Sequence, residues 1–471
     1  MLETGSFQAC SCRREVPALY CIKERLSLKQ KAYFKEFARY TSLNVLGMIG
    51  LSCYILADTY FISRGLGANG LTALNLAIPV YSLIHGSGLM LGMGGATRYA
   101  VFKGQQADRA ADNVFTNTLY AAAVLAAAYV FAGIFLTERI TRLVGADAAV
   151  FDMTNTYLRV ILLFAPAFIM NNVLICFVRN DGNPRLSMLS MLIGSLSNIV
   201  LDYLFIFPLG MGIFGAVLAT GFAPVISMAV LSGHRKKKAH FHLAPSRLQP
   251  AVIGSVVSLG IPSLISEVAS GAVMLVFNMI ILNIRGNVGV AAYGVIANLS
   301  LVVVSMCTGI AQGMQPLVSR AYGHGDGKQM RQMLRYAFTV MLFVSFAIYI
   351  CVFFFADPLA GIFNSEKNQQ LQQIAVEGLR IYFLAIPFVG TNIILSMYFT
   401  SAERALPAQM ISLLRGLIVI IPVTFLLSRL AGLCGVWSAF PVTEGIVSLL
   451  SFFLYTRFKR FPLTMRTASG K

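Results

Sequence analysis

Apolar residues in this chain come in long unbroken runs instead of the narrow stripe of a surface helix. Twelve such runs stand at about residues 37-62, 70-96, 112-136, 153-178, 187-208, 211-232, 251-284, 289-316, 333-356, 377-400, 407-428 and 432-456. Crossing the hydrocarbon of a bilayer takes about 20 residues of helix but only about 10 of strand. The run lengths therefore predict an all-α integral membrane protein with twelve transmembrane helices.

The pattern repeats. GANGLTA (67-73) aligns with GNVGVAA (286-292) at a shift of 219, which also carries Gly94 onto Gly313 and Gly104 onto Gly323. Farther along, YLRVILLFAPAFIMNN (157-172) meets GLRIYFLAIPFVGTNI (378-393) at 221, matching Arg159 with Arg380, Pro166 with Pro387 and Asn171 with Asn392. The chain divides into a tail (1-36), an N-lobe (37-232), a polar basic linker (233-250), a C-lobe (251-456) and a second tail (457-471). An even number of spans per half starts both copies on the same side, so the repeats are parallel and a cavity is expected between them. Pro79, Pro166, Pro387 and Pro422 lie within apolar runs, where they bend helices or serve packing.

Composition narrows the class. Hydrophobic residues make up 57% of the chain and charged ones 12%, against about 25% charged in soluble domains. The net charge of +18 is consistent with nucleic-acid binding until its distribution is read. With the N-terminus inside, the inner segments hold 27 Lys or Arg and the outer loops 6. That bias places both termini and the linker in the cytoplasm of a multi-pass cell-membrane protein, with no nucleic-acid partner. The linker's RKKK (235-238) is expected to rest on anionic lipid, and its HxH (His240, His242) to be solvated. Cysteines in the spans (Cys53, Cys176, Cys307, Cys351) are scattered singly and expected to be free and buried, and Cys10-x-Cys12 is read as part of an unstructured tail. The tail lacks the apolar core of a cleavable signal.

Enzyme motifs fail. GHGDGK (323-328) is too short for a phosphate loop and is followed by Gln329, and neither HExxH nor CxxC occurs. No enzyme and no cofactor are expected. The chemistry lies in carboxylates at membrane depth, which cost roughly 2.5 to 3.5 kcal/mol each to insert. Asp58 and Asp202 fall roughly 6 and 9 Å below the outer surface by helix rise. Asn198 lies one turn from Asp202, and Tyr157, Asn172 and Thr220 add polar groups in the same lobe. Two carboxylates at one level suit a shared proton or Na⁺. In the C-lobe, Arg415 and Glu444 are both expected roughly 12 to 18 Å deep and to pair, while Glu267 has no basic partner of its own and is the more promising substrate contact.

LADTYFISRGLG in the first span, RNDGNPR (179-185) and NIVLD (198-202) resemble the multidrug and toxic compound extrusion (MATE) family, its DinF-like branch in particular, over about residues 28 to 458. The resemblance implies a V-shaped antiporter that exports amphipathic, often cationic drugs in exchange for H⁺ or Na⁺, its cation site at Asp58, Tyr157, Asn172, Asn198, Asp202 and Thr220, with Tyr54 one turn before Asp58. Ile55 and Ile175 stand where relatives carry polar residues. Tyr54, Glu267, Arg415 and Glu444 remain candidates for substrate binding or a second site. The chain is expected to act as a monomer among membrane lipids on small amphipathic molecules. The alternative is a lipid-linked saccharide flippase of the same superfamily, which would need several cationic groups for phosphate, here Arg159, Arg380 and Arg415.

Overall fold

A computed structural model describes residues 18–234, 240–244, 246–364 and 368–459. The tail CxC and RKKK lie outside these. All regular structure among the described residues is helical. In chain order the helices are α1 (Ala18–Gly104), α2 (Asp108–Phe135), α3 (Thr137–Leu143), α4 (Phe151–Leu163), α5 (Ala165–Asn180), α6 (Pro184–Ile206), α7 (Gly212–Leu231), α8 (Pro250–Gly323), α9 (Gly327–Phe363), α10 (Gln369–Tyr382), α11 (Ile386–Ser401), α12 (Ala405–Leu413) and α13 (Ile420–Lys459). A 3₁₀ turn joins α10 to α11, and a π turn, Leu414–Ile418, joins α12 to α13.

Several of these are two arms joined at a break that the sequence marks with glycine. Gly67 (φ 66°, ψ −157°) interrupts α1 and Gly286 (φ 62°, ψ −156°) interrupts α8. Such positive φ values suit a residue without Cβ. The two positions are partners in the 219-residue repeat, so the duplication is reproduced in backbone angles. Gly432 (φ 57°) breaks α13 in the same way. Proline acts where it lacks a donor to lose: Pro166 and Pro387, also repeat partners, open α5 and α11. Helices α4 and α5 meet there at 48°. Among the described residues eight helical stretches, with α10–α11 and α12–α13 each taken as one, are long and apolar enough to cross a bilayer, and the bent α4–α5 pair passes the same test when its parts are joined.

Two large hydrophobic cores form, one in each half. The first gathers residues of α1, α2 and α4–α7, including Ile62, Leu158 and Phe177; the second is built mainly from α8–α13, including Phe277, Phe383 and Trp437. They exchange one element each. Phe37 and Tyr40, from the start of α1, are buried in the second core, and Val256, from the start of α8, is buried in the first. Phe37 and Val256 are again separated by 219 positions.

The halves meet tightly near the linker. A Cβ on Gly94 would collide with the Val256 carbonyl, and one on Gly313 would lie 2.6 Å from the Thr41 Cα. Only glycine allows helices this close. Every hydrogen bond between the halves found among the described residues lies on this linker side, including Asn44 to Gly309 O, Arg98 to Glu403 and Asn180 to Gln315. The opposite side of the V is not joined by any of them.

One expectation is corrected here. Cys176 and Cys307 are buried, but Cys53 and Cys351 are exposed. An apolar thiol is as well solvated by lipid chains as by a protein core, so hydrophobicity alone does not predict which way it faces.

Candidate functional site

Tyr54 and Asp58 stand one turn apart on the first arm of α1, and Asn198 and Asp202 one turn apart on α6, so each pair projects from one helix face. Packing of α1 against α6 turns the faces together, and the Asp58 and Asp202 carboxyl groups lie near each other. Tyr157 from α4 lies beside both, its hydroxyl within reach of Thr220 on α7. Asn198 Nδ2 donates to Thr220 Oγ1 at 3.4 Å, and Thr220 donates to the Ala216 carbonyl at 3.1 Å. All six of these side chains are buried.

What the cluster lacks is donors. Asp58 Oδ1, both carboxyl oxygens of Asp202 and Asn198 Oδ1 are buried without a protein hydrogen bond. Unpartnered buried oxygens are costly, and two carboxylates both ionised about 4 Å apart repel by about 4 kcal/mol at an effective dielectric constant of about 20. A proton or a monovalent cation relieves both costs. The surrounding groups are all oxygen donors, as a hard cation requires. No cluster of three His, Cys, Asp or Glu suited to a metal ion occurs among the described residues.

Asn172 is drawn elsewhere. Its Nδ2 approaches His85 Nδ1 at 3.2 Å and the His85 carbonyl at 3.5 Å. The His85 ring stacks on Tyr81 with centroids 5.7 Å apart, and the Tyr81 hydroxyl meets that of Tyr54 at 2.9 Å. A polar string thus runs from the turn below Asp58 to half-buried His85. Glu267, half-buried on α8, closes its far end: it lies near Tyr81, and a Cβ on Gly86 would be 3.1 Å from its own Cβ. His85 was not anticipated, although a lone histidine inside the run 70-96 was the available signal.

In the second half the acid is saturated. Glu444, 1% exposed, accepts from Arg415 Nη2 at 2.7 Å and Nε at 3.1 Å, and from Asn392 Nδ2 at 2.7 Å. Ser451 in turn donates to Asn392 Oδ1 at 3.0 Å. The π turn carries Arg415, and such bulges re-aim a side chain within a helix.

On the linker side a further acid, Asp181, sits in the loop after α5. It accepts from Tyr99 at 2.6 Å, His234 Nε2 at 2.8 Å and the His240 backbone N–H at 2.9 Å. Burial alone would raise its pKa, but the hydrogen bonds from His234, Tyr99 and His240 together hold it below the ordinary aspartate value. His242 N–H, Ala244 N–H and Gln249 N–H are bound by Asp112, Thr116 and Asn117 of α2. The described part of the linker is therefore strapped to the first half, and the exposed His240 ring lies 3.4 Å from Asp181 Oδ1.

The sequence profile of the MatE family matches residues 45–204 and 262–426. A multidrug export protein MepA of Staphylococcus saprophyticus is 24% identical over 90% of this chain and 94% of its own length, and one of Staphylococcus aureus is 23% identical over 89% and 93%. Among solved structures, a MATE in complex with MaL6 superposes with a TM-score of 0.85 at 24% identity, covering 90% of this chain and 96% of that one. An outward-facing multidrug resistance MATE transporter gives 0.84 at 23%, covering 90% and 95%. A transporter of the MOP superfamily from Pyrococcus furiosus, described as having a binding pocket of reverse polarity, gives 0.85 at 23%, covering 92% and 96%.

Proposed function

The chain belongs to the MatE family of membrane transporters, and from that premise we propose that it is an antiporter that exports amphipathic, cationic compounds and is driven by H⁺ or Na⁺ entering through Asp58 and Asp202. The observation that carries this reading is the facing pair of buried carboxyl groups whose oxygens find no protein donor. Loading a proton or Na⁺ from outside removes the repulsion and lets the surrounding helices repack, with Pro79 in α1 and Pro166 at the head of α5 as the points of bending. The resulting shift from outward-open to inward-open is limited by the ion's differential affinity for the two states. Asn198, Thr220 and Tyr157 supply neutral oxygens to the ion. Asn172 acts one step away, through His85.

The positive-inside bias supports a cell-membrane protein with both termini and the linker in the cytoplasm, so that the linker-side closure described above is the cytoplasmic one. Export of drugs rather than of phosphate-bearing lipids is favoured by the arginines. Arg415 is neutralised by Glu444, and Arg159 and Arg380 are both exposed, Arg380 lying 5.3 Å from the Phe353 ring centroid. None of these three is left as a free cation in an enclosed cavity. The names of the MepA relatives point the same way.

The test is dye efflux from vesicles under separately imposed proton and sodium gradients. Wild-type protein should move a cationic dye against its gradient with one of the two ions. Export that persists with neither gradient, or a continuous single-channel conductance, would remove the antiport reading.

A further inference from the structure

Arg179, at the end of α5, is 1% exposed and has no carboxylate partner among the described residues. Its Nη1 donates to Asn44 Oδ1 at 2.7 Å and across the divide to Gln312 Oε1 of α8 at 3.0 Å, and its Nη2 rests on the sulfurs of Met93 (3.3 Å) and Cys176 (3.6 Å). Its Nε is buried with no partner at all. A guanidinium held by two amide oxygens and two thioether or thiol sulfurs is less well solvated than in water, because neutral acceptors do not neutralise a buried charge.

Around it the two halves fit closely. Asn180 and Gln315 exchange both amide hydrogen bonds, at 3.0 and 3.1 Å, and Gln315 also donates to Thr97 and Ser319. The glycine contacts of Gly94 and Gly313 complete the seal. In the repeat, Arg179 corresponds to Thr400, so the cation occurs on one side of the pseudo-symmetric seal only. A seal meant to stay shut would give this arginine an acid. Here the packing of glycines and amides and the Arg98–Glu403 ion pair are set against one under-solvated charge that regains water when the halves part.

We propose that Arg179 is a positioning residue that keeps the linker-side seal reversible: its buried, unneutralised charge opposes closure and sets how readily the two halves separate there. This rests on the alternating-access reading above, in which that side must open once per cycle. The sealed and open states then lie close in free energy because Gln312 offers an amide rather than a carboxylate.

Cys176 reports on the seal directly, since its Sγ touches the guanidinium and is buried. In protein with the other cysteines replaced, modification of Cys176 by a hydrophilic maleimide measures opening, whatever the cargo or coupling ion. Gln312→Leu leaves one N–H of the cation unmatched and should speed labelling roughly tenfold, the shift expected from losing one hydrogen bond to a charged group. Gln312→Glu, nearly the same shape, neutralises Arg179 and should slow labelling below wild type by a similar factor while also stopping efflux. Arg179→Met, which removes the charge and keeps the bulk, should slow labelling as well. Faster labelling in Gln312→Glu, or no difference between the Leu and Glu variants, overturns the proposal, and the Gln312 pair decides it even if Arg179→Met does not fold. Failure of wild-type efflux would instead count against the proposed function and leave the labelling result intact.

Discussion

The two halves share a backbone plan and differ in how they treat buried acids. In the first, Asp58 and Asp202 face each other with oxygens that no protein group satisfies. In the second, Glu444 is enclosed by a bidentate arginine and an asparagine. The repeat shifts carry Asp58 onto Phe277 and Asp202 onto Val423, and Phe277 is a buried core ring stacked on Tyr293 at 5.4 Å. One half therefore carries an incomplete polar site where the repeat shifts put apolar side chains in the other. An acid that is already neutralised has little left to gain from a passing ion. On the proposed reading, ion binding follows from unsatisfied oxygens rather than from the presence of carboxylates.

The comparison is broken most severely at the acid pair. Asp58→Asn and Asp202→Asn should each abolish gradient-driven dye efflux while the protein stays inserted and folded, because each amide removes the charge that makes ion loading favourable. Asn198→Ala, which removes only a neutral oxygen, should weaken coupling without ending it. Efflux from Asp58→Asn at the wild-type rate, with unchanged proton and sodium dependence, would move the coupling site to Glu267.

At the saturated acid the expected loss is of stability. Glu444→Leu or Arg415→Leu alone strands a buried charge and should cost roughly 3 to 5 kcal/mol, whereas the double variant should cost much less. Thermal unfolding in detergent measures this as a recovery of the melting temperature in the double variant. Equal losses in single and double variants would mean that the network acts through something other than charge pairing.

Much of this was legible in the chain. The glycine positions of the repeat announced the breaks at Gly67 and Gly286, and carboxylates inside apolar runs announced the buried acid pair of the N-half, because a charge in hydrocarbon is conspicuous against its surroundings. Arg415 and Glu444 were matched by depth alone. Polar residues at contacts between helices distant in sequence were harder to read. Arg179 and Gln312 are 133 positions apart, and no periodicity links them. The two glutamines of AQGMQP (311-316) were a usable hint, since an amide in an apolar run needs a partner. The exposure of Cys53 and Cys351 left no trace, because a thiol in an apolar run reads the same whether it faces into the bundle or out of it.

The smallest effect concerns the linker strap. The folded carboxyl of Asp181 is held below the ordinary value, about 3.9, so its contribution to stability is complete above that value and fades as pH falls through the lower folded one. Asp181→Asn should therefore melt a few degrees below wild type at neutral pH, with the gap closing in acid. A gap that stays constant down to the acid end would show that the loss comes from geometry and not from charge.

The exchange of Phe37, Tyr40 and Val256 between the two cores also bears on how the protein is made. When the ribosome has finished α7, the first half still lacks the side chain from α8 that completes its interior, and the start of α1 has no core to enter. The first half is then expected to complete its packing only once synthesis reaches the second. Splitting the gene at the linker would then yield two fragments, each missing a piece of its interior, that mature only when produced together.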